Sequence, residues 1–377
     1  MAPELAARKV QGLPSQAVVL DPMMGSGTFP IAAGLDGHAA FGVDSDPLAV
    51  LIAQTAASTV PGDLVEDEAA KVVELATAFP KSPAKFDIET SKFIDYWFDP
   101  LTVDELGRLA TAIRTSSPAA RPILWCAFSR LIITKDAGVS RARDVSHSRP
   151  HRVRDAASFS AMERFPAAVK VVLSRRAINS HEGASPREAD IRLIRGDARA
   201  LPLPDGSIDA VMTSPPYLIA IDYLRGHRLS LVWMGYTVAQ IRSLRGSNLG
   251  SERGASASDT VTRIVNSAVD SRMSIRACRI VNNYAESMLG VLREVRRVLA
   301  PKGAATFVIA DARMEGREVS IETLVSGLAG EAGLSLFGRE IRLLPADRRY
   351  LPPPSEDAEA SLNRRMRAEI VLSFVKR

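Results

Sequence analysis

The sequence predicts an α/β fold built on a mostly parallel sheet, with a helical insertion in the middle of the chain. Short apolar runs before residue 50 and after residue 190 end at acidic or turn-forming residues, as buried parallel strands do. A glycine-rich turn joins the first of these runs to a segment with helical spacing. Within residues 51 to 189, three segments show helical periodicity with no competing strand alternation.

Size and composition exclude several classes of protein. The chain has 377 residues, 46% hydrophobic and 24% charged, which is ordinary globular composition with room for two or three domains or for one large domain with an insertion. Its net charge of +5 permits a polyanionic partner without requiring one. The N terminus lacks a signal-type apolar segment, and no run approaches the ~20 apolar residues of a membrane span. We therefore expect a soluble cytoplasmic protein without a membrane partner.

Cysteine and histidine usage argues against a metal site. The chain has two cysteines, Cys126 and Cys278, and its five histidines are scattered. Two thiols do not make a structural zinc site by themselves, and no Cys-x-x-Cys or His-x-Glu motif occurs. We expect two core thiols, no bound metal and no zinc-dependent deaminase chemistry.

The first 47 residues contain one predicted βαβ unit. Residues 17–22 (AVVLDP) form a short apolar run that ends at an acid and a proline, typical of a buried strand. The turn MMGSGT (23–28) leads into FPIAAGLDG (29–37), which has helical spacing, and AAFGVDSDP (39–47) is a second strand ending at Asp44. The crossover between the two strands should be right-handed.

The remaining elements divide into helices in the insertion and strands after it. The sequence predicts helices over 64–79, 101–114 and 121–134, and either a basic loop or an irregular helix start over 140–154. It also predicts a mobile loop over 243–260 and an amphipathic helix over 284–303 that ends at Pro301 and Gly303. The later strands are predicted at 191–198, 207–217, 304–311, 334–344 and 368–376.

The glycine turn suits a nucleotide-like cofactor. Gly25 and Gly27 permit positive φ and let a ligand approach the main chain, but Pro30 occupies the third glycine position of a dinucleotide motif, and no P-loop lysine follows. Asp44 could bind ribose hydroxyls and Asp21 an ammonium group, which together point to S-adenosylmethionine. The alternative is that the glycines only close a tight turn and that Asp44 caps a helix.

The segment Thr213-Ser214-Pro215-Pro216-Tyr217 ends a predicted strand and suits the binding of a nucleobase amine. Two successive prolines fix the direction of neighbouring carbonyls, which can accept hydrogen bonds from an exocyclic NH2 group. The tyrosine offers a flat face for stacking. Methyl transfer then needs positioning and preorganised dipoles rather than a strong base, because the proton can leave after the methyl group arrives. The alternative is a simple Pro-Pro turn leaving a sheet.

These motifs together resemble the S-adenosylmethionine-dependent DNA amino-methyltransferases, which modify cytosine N4 or adenine N6. The resemblance covers residues 17–50, 190–240 and 284–377. Its most specific part is the pairing of DPxxGSGT with SPPY. The matching segments are DPMMGSGT (21–28), GVDSDP (42–47), RGDA (195–198), TSPPY (213–217), REVRRVLAPKGAATFVIAD and AEIVLSFVK.

The resemblance implies a Rossmann-like methyltransferase fold with a mostly parallel seven-stranded sheet. Residues 1–50 and 190–377 would form the catalytic domain, with 51–189 as a mainly helical insertion. Both motif turns must then lie at one edge of the sheet. Asp44 would bind the ribose and Asp197 the adenine amine. The implied cofactor residues are Asp21, Pro22, Gly25, Ser26, Gly27, Thr28, Asp44 and Asp197, and the implied catalytic residues are Ser214, Pro215, Pro216 and Tyr217.

The target base follows from the same resemblance, whereas the DNA contacts are inferred from the placement of basic residues, any one of which could instead be a solvated surface charge. Serine at the first position of SPPY favours cytosine N4 over adenine N6. The base must be extruded from double-stranded DNA, so basic residues should bind phosphates on both sides, and the insertion is a candidate recognition region. A restriction endonuclease or other modification-system protein is a candidate partner. The candidate DNA-binding residues are Arg141, Arg143, Arg149, Arg152, Arg154, Arg225 and Arg228.

Three other functions compete with this interpretation. An RNA methyltransferase shares a similar glycine motif but more often has Asp or Asn before Pro-Pro. A non-catalytic DNA-binding subunit is disfavoured by the intact GSGT, Asp44 and SPPY, and a nicotinamide dehydrogenase by Pro30. The family usually has a further cofactor-contacting segment before the first strand, of which MAPELAARKV resembles only the end. From this departure the resemblance implies, as an expectation, that the chain starts late or that a partner supplies the missing segment.

Overall fold

The chain folds into two compact units. A computed structural model describes residues 3–132, 138–143, 151–176, 190–218, 224–247, 249, 257–344 and 368–376. The first unit, here called the sheet unit, comprises Met1–Ser45, Pro186–Ala220 and Arg245–Arg377. The second, the helical unit, comprises Asp46–Ser185 and Ile221–Leu244. The segment 221–244, which the sequence places in the catalytic domain, therefore packs with the helical insertion.

Secondary structure in the described residues follows the alternation expected of an α/β chain with a helical insertion. The strands are β1 (Val18–Asp21), β2 (Ala39–Asp44), β3 (Ala142–Arg143), β4 (His151–Arg152), β5 (Ile191–Arg195), β6 (Ile208–Thr213), β7 (Leu299–Ile309), β8 (Ala312–Met314), β9 (Arg317–Val319), β10 (Leu334–Leu343) and β11 (Ala368–Lys376). The helices are α1 (Pro3–Val10), α2 (Thr28–Leu35), α3 (Pro47–Ala57), α4 (Gly62–Ala78), α5 (Ile88–Trp97), α6 (Pro100–Thr115), α7 (Arg121–Ile132), α8 (Ala161–Ser174), α9 (Leu224–Leu231), α10 (Val238–Ser247), α11 (Asp259–Ala268), α12 (Ile275–Val298) and α13 (Ile321–Glu331).

The main sheet lies in the sheet unit and has the strand order β10-β11-β7-β6-β1-β2-β5. The five neighbouring strands β5, β2, β1, β6 and β7 are parallel, whereas β11 is antiparallel to both β7 and β10. From β1 the chain adds β2 and β5 on one side of the sheet and then β6 and β7 on the other. Such a change of direction creates a ligand crevice at the carboxyl ends of the strands. The predicted fold class, a Rossmann-like and mostly parallel seven-stranded sheet, is confirmed.

Both faces of this sheet are buried, which explains the nearly continuous apolar runs in its central strands. Val19 packs into a cluster with residues of α1 and α2, while its neighbour Leu20 packs into a cluster with residues of α11, α12 and α13. Met212 and Val211 on β6 divide between the same two clusters. Helices on both sides therefore fix the sheet, and its carboxyl edge is a rigid platform for loops.

The helical unit has its own apolar core. Helices α4, α6 and α7, predicted from periodicity, are confirmed with small shifts at their ends. Trp233 is fully buried, and the rings of Phe86 and Phe98 contact its ring edge to face at 5.5 and 5.3 Å. None of the helices in the described part of the chain is long and apolar enough to cross a membrane.

The predicted end of the long amphipathic helix is wrong. Helix α12 ends at Val298, and β7 begins at Leu299, which lies opposite Ile208. The register then moves to Ala304 opposite Ala210, so the residues between form a bulge within the strand. A Cβ atom at Gly303 would lie 3.0 Å from the carbonyl oxygen of Asp209, so glycine is needed for this close approach.

The predicted mobile loop over 243–260 is partly wrong. Residues up to Ser247 belong to α10, and the Ser258 side chain accepts a hydrogen bond from the Val261 amide at the start of α11. Residues 250–256 lie outside the described part of the chain. Serine is typical of loops by composition, whereas here Ser258 marks a helix start.

Candidate active site at the carboxyl edge of the sheet

The two motif turns lie side by side. Strands β1 and β6 are parallel neighbours, with Val19 opposite Ala210 and Leu20 opposite Val211. The glycine turn leaves the carboxyl end of β1, and residues 214–217 leave the carboxyl end of β6. The structure therefore brings both turns to the same edge of the sheet on adjacent strands, as the sequence-based interpretation requires.

The glycine turn is held in shape by its own main chain. The Met24 amide donates to the Val43 carbonyl at 3.0 Å, and the Gly27 amide donates to the Met24 carbonyl at 2.9 Å. Gly25 and Gly27 have φ values of 53° and 79°, in the left-handed region that favours glycine. A Cβ on Gly25 would meet no atom of the described residues within 4 Å, so the turn is open on that side.

Helix α2 begins directly after this turn. Its N-cap is Gly27, which provides no side-chain oxygen to cap the first turn of the helix. The N terminus of a helix carries a partial positive charge and amides that can bind an anionic ligand. The glycine turn and the start of α2 thus form a main-chain surface suited to a carboxylate or another polar ligand group.

Asp44 ends β2 and binds the glycine turn. One carboxylate oxygen accepts the Gly25 amide at 2.9 Å, and the Asp44 carbonyl accepts the Gly196 amide at 3.0 Å. The alternative role for Asp44, capping the next helix, is wrong, because the N-cap of α3 is Asp46, whose side chain accepts the Leu48 amide at 2.9 Å. Asp44 therefore lies at the edge of the crevice without a capping role.

Asp21 lies beneath the glycine turn. The residue is 3% exposed, and its carboxyl group accepts the Met23 amide at 3.1 Å. Burial raises the pKa of Asp21 to about 7, and the nearby Thr213 side chain and the Met23 amide act in the opposite direction. Asp21 thus fastens the turn, and its contact with a cofactor ammonium group stays a prediction.

Asp197 follows β5 and is paired with a residue that the sequence reasoning missed. The Arg199 guanidinium binds it through two nitrogens, the shortest distance being 2.7 Å. Burial acts to raise the pKa of Asp197, but the Arg199 side chain and amide outweigh it and the pKa is lowered. The carboxylate is therefore ionised, with Arg199 beside it, at the position predicted for the adenine amine.

The Ser-Pro-Pro-Tyr turn is bound to the neighbouring strands. The Ser214 hydroxyl donates to the Val308 carbonyl of β7 at 3.2 Å. Pro215 is buried and Pro216 exposed. The Tyr217 hydroxyl donates to a carboxylate oxygen of Glu369 on β11 at 3.1 Å.

Sequence reasoning missed Glu369, although a signal for it was present. The strand AEIVLSFVK is apolar except for this acid, one serine and its last residue, and a charge within an otherwise buried strand indicates a specific partner. The glutamate also binds Arg342 of the neighbouring strand β10.

The predicted phosphate-binding arginines of the basic loop are engaged within the helical unit. The Arg141 guanidinium donates to the carbonyls of Asp95 and Asp155, both at 2.8 Å. Arg152 forms an ion pair with the exposed Asp155 at 2.5 Å, and Arg154 donates to a main-chain carbonyl. Arg149 and the Arg143 side chain lie outside the described part of the chain.

The two remaining candidates lie in α9. The Arg228 guanidinium stacks over the rings of Phe93 and Trp97, at 5.2 and 5.9 Å from their centres. Between these two arginines in the sequence, the His227 ring contacts the Asp46 carboxylate at 2.5 Å. The DNA-binding role of Arg225, Arg228 and the basic loop stays a prediction.

Comparison with known proteins gives one short sequence match, and no family model matches the chain. A segment of 66 residues is 42% identical to the type II methyltransferase M.BsoBI of Geobacillus stearothermophilus. The matched relative is a methyltransferase. The match covers 17% of this chain and 13% of the relative, so the chain spans about an eighth of the length of that protein.

Similar solved structures include three of methyltransferase type. TTHA0409 of Thermus thermophilus, assigned as a DNA modification methylase and solved with S-adenosyl-L-methionine, is 18% identical over 48% of this chain and 51% of its own, with a TM-score of 0.25. A TehB-like S-adenosylmethionine-dependent methyltransferase of Corynebacterium glutamicum (10% identity, 99% and 86% coverage) and one of Methanosarcina mazei (10%, 100% and 98%) have TM-scores of 0.32 and 0.35. At these scores the fold assignment rests on the sheet topology alone.

Proposed function

We propose that the chain is a DNA methyltransferase that transfers a methyl group from S-adenosylmethionine to an exocyclic amine of a base turned out of a duplex. We propose cytosine N4 as the preferred target. The observation that carries this proposal is the position of the glycine turn and the Ser-Pro-Pro-Tyr turn at the carboxyl ends of the adjacent strands β1 and β6. A cofactor in the first turn and a base in the second would be neighbours.

The residues around the glycine turn fit the chemistry of S-adenosylmethionine. The open main chain at Gly25 and the start of α2 after Gly27 would hold its methionine carboxylate. Asp44 would accept hydrogen bonds from the ribose hydroxyls, and Asp197 from the adenine amine. When bound, the cofactor supplies a methyl group on a positively charged sulfur.

The Ser-Pro-Pro-Tyr turn would hold the amine. Its main-chain carbonyls, fixed by the prolines and by the Ser214 bond to β7, would accept hydrogen bonds from the NH2 group. Binding both hydrogens favours a tetrahedral nitrogen whose lone pair points at the methyl donor. The Tyr217 ring would stack on the base, so the turn acts by positioning and needs no strong base.

Double-stranded DNA is the proposed substrate, and the 66-residue match to a type II methyltransferase supports this choice. Ser214 at the first position of the turn supports cytosine N4 over adenine N6. An RNA substrate is the alternative within the same chemistry.

The test is to express the chain in a bacterial host that lacks its own DNA methylation, digest the DNA to nucleosides and measure modified bases by mass spectrometry. We expect N4-methylcytosine with the wild type and none with Tyr217→Ala, which should still bind the cofactor in calorimetry. N6-methyladenine instead would correct the target base. Unmodified DNA from a wild-type protein that binds S-adenosylmethionine would contradict the proposed substrate.

A further inference from the structure

The antiparallel strand β11 brings a carboxylate to the candidate active site. Because β11 runs opposite to β7, its first residues lie at the edge where the parallel strands end. Ile370 pairs with Ile309 near the end of β7, and Glu369 precedes it. Tyr217 follows β6, the neighbour of β7 on its other side. The Tyr217 hydroxyl therefore spans the end of β7 and donates to Glu369 Oε1 at 3.1 Å.

Glu369 is itself fixed by an arginine. Its side chain is 6% exposed, and Arg342 lies directly opposite it across the β10–β11 ladder. Arg342 Nε and Nη2 donate to Oε2 at 3.0 and 2.5 Å. One carboxylate oxygen thus binds the arginine and the other the tyrosine. A buried carboxylate needs such partners, so neither oxygen can be left unpaired cheaply.

We propose that Glu369 is a positioning residue for the target base, acting through Tyr217, with Arg342 holding the glutamate in place. This inference rests on the proposed function. A tyrosine without a partner for its hydroxyl would sample several ring orientations, and ordering it would weaken stacking on the base. The hydrogen bond to a charged acceptor removes that freedom before the base arrives. It also directs the hydroxyl at the protein, so that the base is offered the ring face.

The test compares Tyr217→Phe, Glu369→Gln and the double variant in the full-length protein. Tyr217→Phe removes only the hydroxyl and leaves the Glu369–Arg342 pair in place. The control is Glu340→Gln on the same edge strand as Arg342, because the Glu340 carboxylate pairs with Arg8 at the exposed surface and not with Tyr217. The measurements are kcat and KM for a duplex substrate, calorimetric affinity for S-adenosylmethionine, and fluorescence of 2-aminopurine placed at the target base.

Each single variant should lower kcat/KM by about tenfold, the scale of one hydrogen bond to a charged group. The affinity of these variants for S-adenosylmethionine should be unchanged, and so should the kcat/KM of the control variant. The 2-aminopurine signal of the flipped base should weaken in the single variants. The double variant should be no worse than either single variant, because Glu369→Gln removes the charge and Tyr217→Phe the hydroxyl of one and the same hydrogen bond. If Glu369 had a purely structural effect, the loss of kcat/KM in the double variant would instead be the product of the losses in the two single variants.

Wild-type kinetics in Glu369→Gln, or losses that multiply in the double variant, would overturn the positioning role. If Glu369→Gln does not fold, Tyr217→Phe alone decides, since wild-type kinetics there would also overturn it. Failure of the proposed function looks different, because the unmodified protein would then bind S-adenosylmethionine or DNA without transferring a methyl group.

Discussion

The Gly25 amide donates a hydrogen bond to a carboxylate oxygen of Asp44 at 2.9 Å, which ties the turn after β1 to the end of β2. Asp44 is thus both an acceptor within the fold and the candidate ribose ligand. A substitution can separate these two roles. Asparagine keeps an oxygen that accepts the Gly25 amide, but it has no charge with which to bind a ligand.

Asp44→Asn should therefore lower the affinity for S-adenosylmethionine by about tenfold with little loss of thermal stability, whereas Asp44→Ala should lower both. Calorimetry and thermal unfolding measure the two effects. The matched control is Asp209→Asn, because Asp209 accepts the Val18 amide at 2.8 Å at the opposite end of the same strands. Equal losses of cofactor affinity at Asp44 and Asp209 would refute a ribose ligand at Asp44.

A second prediction concerns Asp21 and the pH dependence of the stability of the fold. Its pKa is raised by burial from 3.8 to about 7 in the folded state. Between these values the unfolded chain loses the proton while the folded protein keeps it, so this group makes stability fall as pH rises. Asp21→Asn should remove that loss and raise the melting temperature above pH 7 relative to the wild type.

Asp197→Asn is the opposite case and serves as the comparison. The pKa of Asp197 is lowered, because the bonds from Arg199 outweigh the burial that acts to raise it. Its contribution to stability is present above the unfolded pKa and is lost as pH falls through the folded one. Melting curves should converge with the wild type at acidic pH, where both acids are protonated, and depart from it in opposite directions above pH 7, with Asp21→Asn melting higher and Asp197→Asn lower. Parallel curves for Asp21→Asn and the wild type would show that its carboxyl is not perturbed.

The sequence predicts those parts of the site that depend on local chemistry. The strand before Asp21 and the turn at Gly25 are continuous segments, so apolar runs and glycine spacing reveal them. The Glu369–Tyr217 bond joins residues 152 positions apart. Only the insertion of β11 antiparallel beside β7 brings these residues together, and no local pattern contains that information.

The prediction of a helix end from the sequence fails for a related reason. Pro301 and Gly303 are strong helix-ending residues, yet α12 ends before them because Leu299 already pairs with β6. Their unusual backbone preferences serve a bulge within the strand. Pairing with a neighbouring strand, which the local sequence does not reveal, outweighs the local propensity.

Gly27 makes a third prediction. A side chain at φ 79° is strained by about 1–2 kcal/mol, and a β-branched one more so. Gly27→Val should lower stability and abolish calorimetric binding of S-adenosylmethionine, because the side chain would occupy the ligand-facing turn. The control is Gly37→Val, since Gly37 has φ 90° and lies between α2 and the start of β2, at the opposite edge of the sheet. Loss of binding in both variants would indicate unfolding rather than a cofactor site.

Substitutions at Arg141 and Arg152 can distinguish a structural role from a DNA-binding role within the basic loop. Arg141 donates to the carbonyls of Asp95 and Asp155, so Arg141→Gln should remove these bonds and lower the melting temperature. Arg152 forms its ion pair with the exposed side chain of Asp155, and a surface pair of this kind contributes about 0–1 kcal/mol. Arg152→Gln should therefore leave stability nearly unchanged.

The same two variants differ in their effect on DNA binding. If Arg152 exchanges Asp155 for a phosphate, Arg152→Gln should reduce the slope of log affinity against log salt by about 0.9, the value for one phosphate contact. Arg141→Gln should leave that slope unchanged, because its guanidinium is committed to main-chain carbonyls. Binding titrations of a fluorescent duplex at several salt concentrations measure both slopes. An unchanged slope in Arg152→Gln would remove this arginine from the DNA interface, and a reduced slope in Arg141→Gln would mean that its carbonyl bonds open when DNA binds.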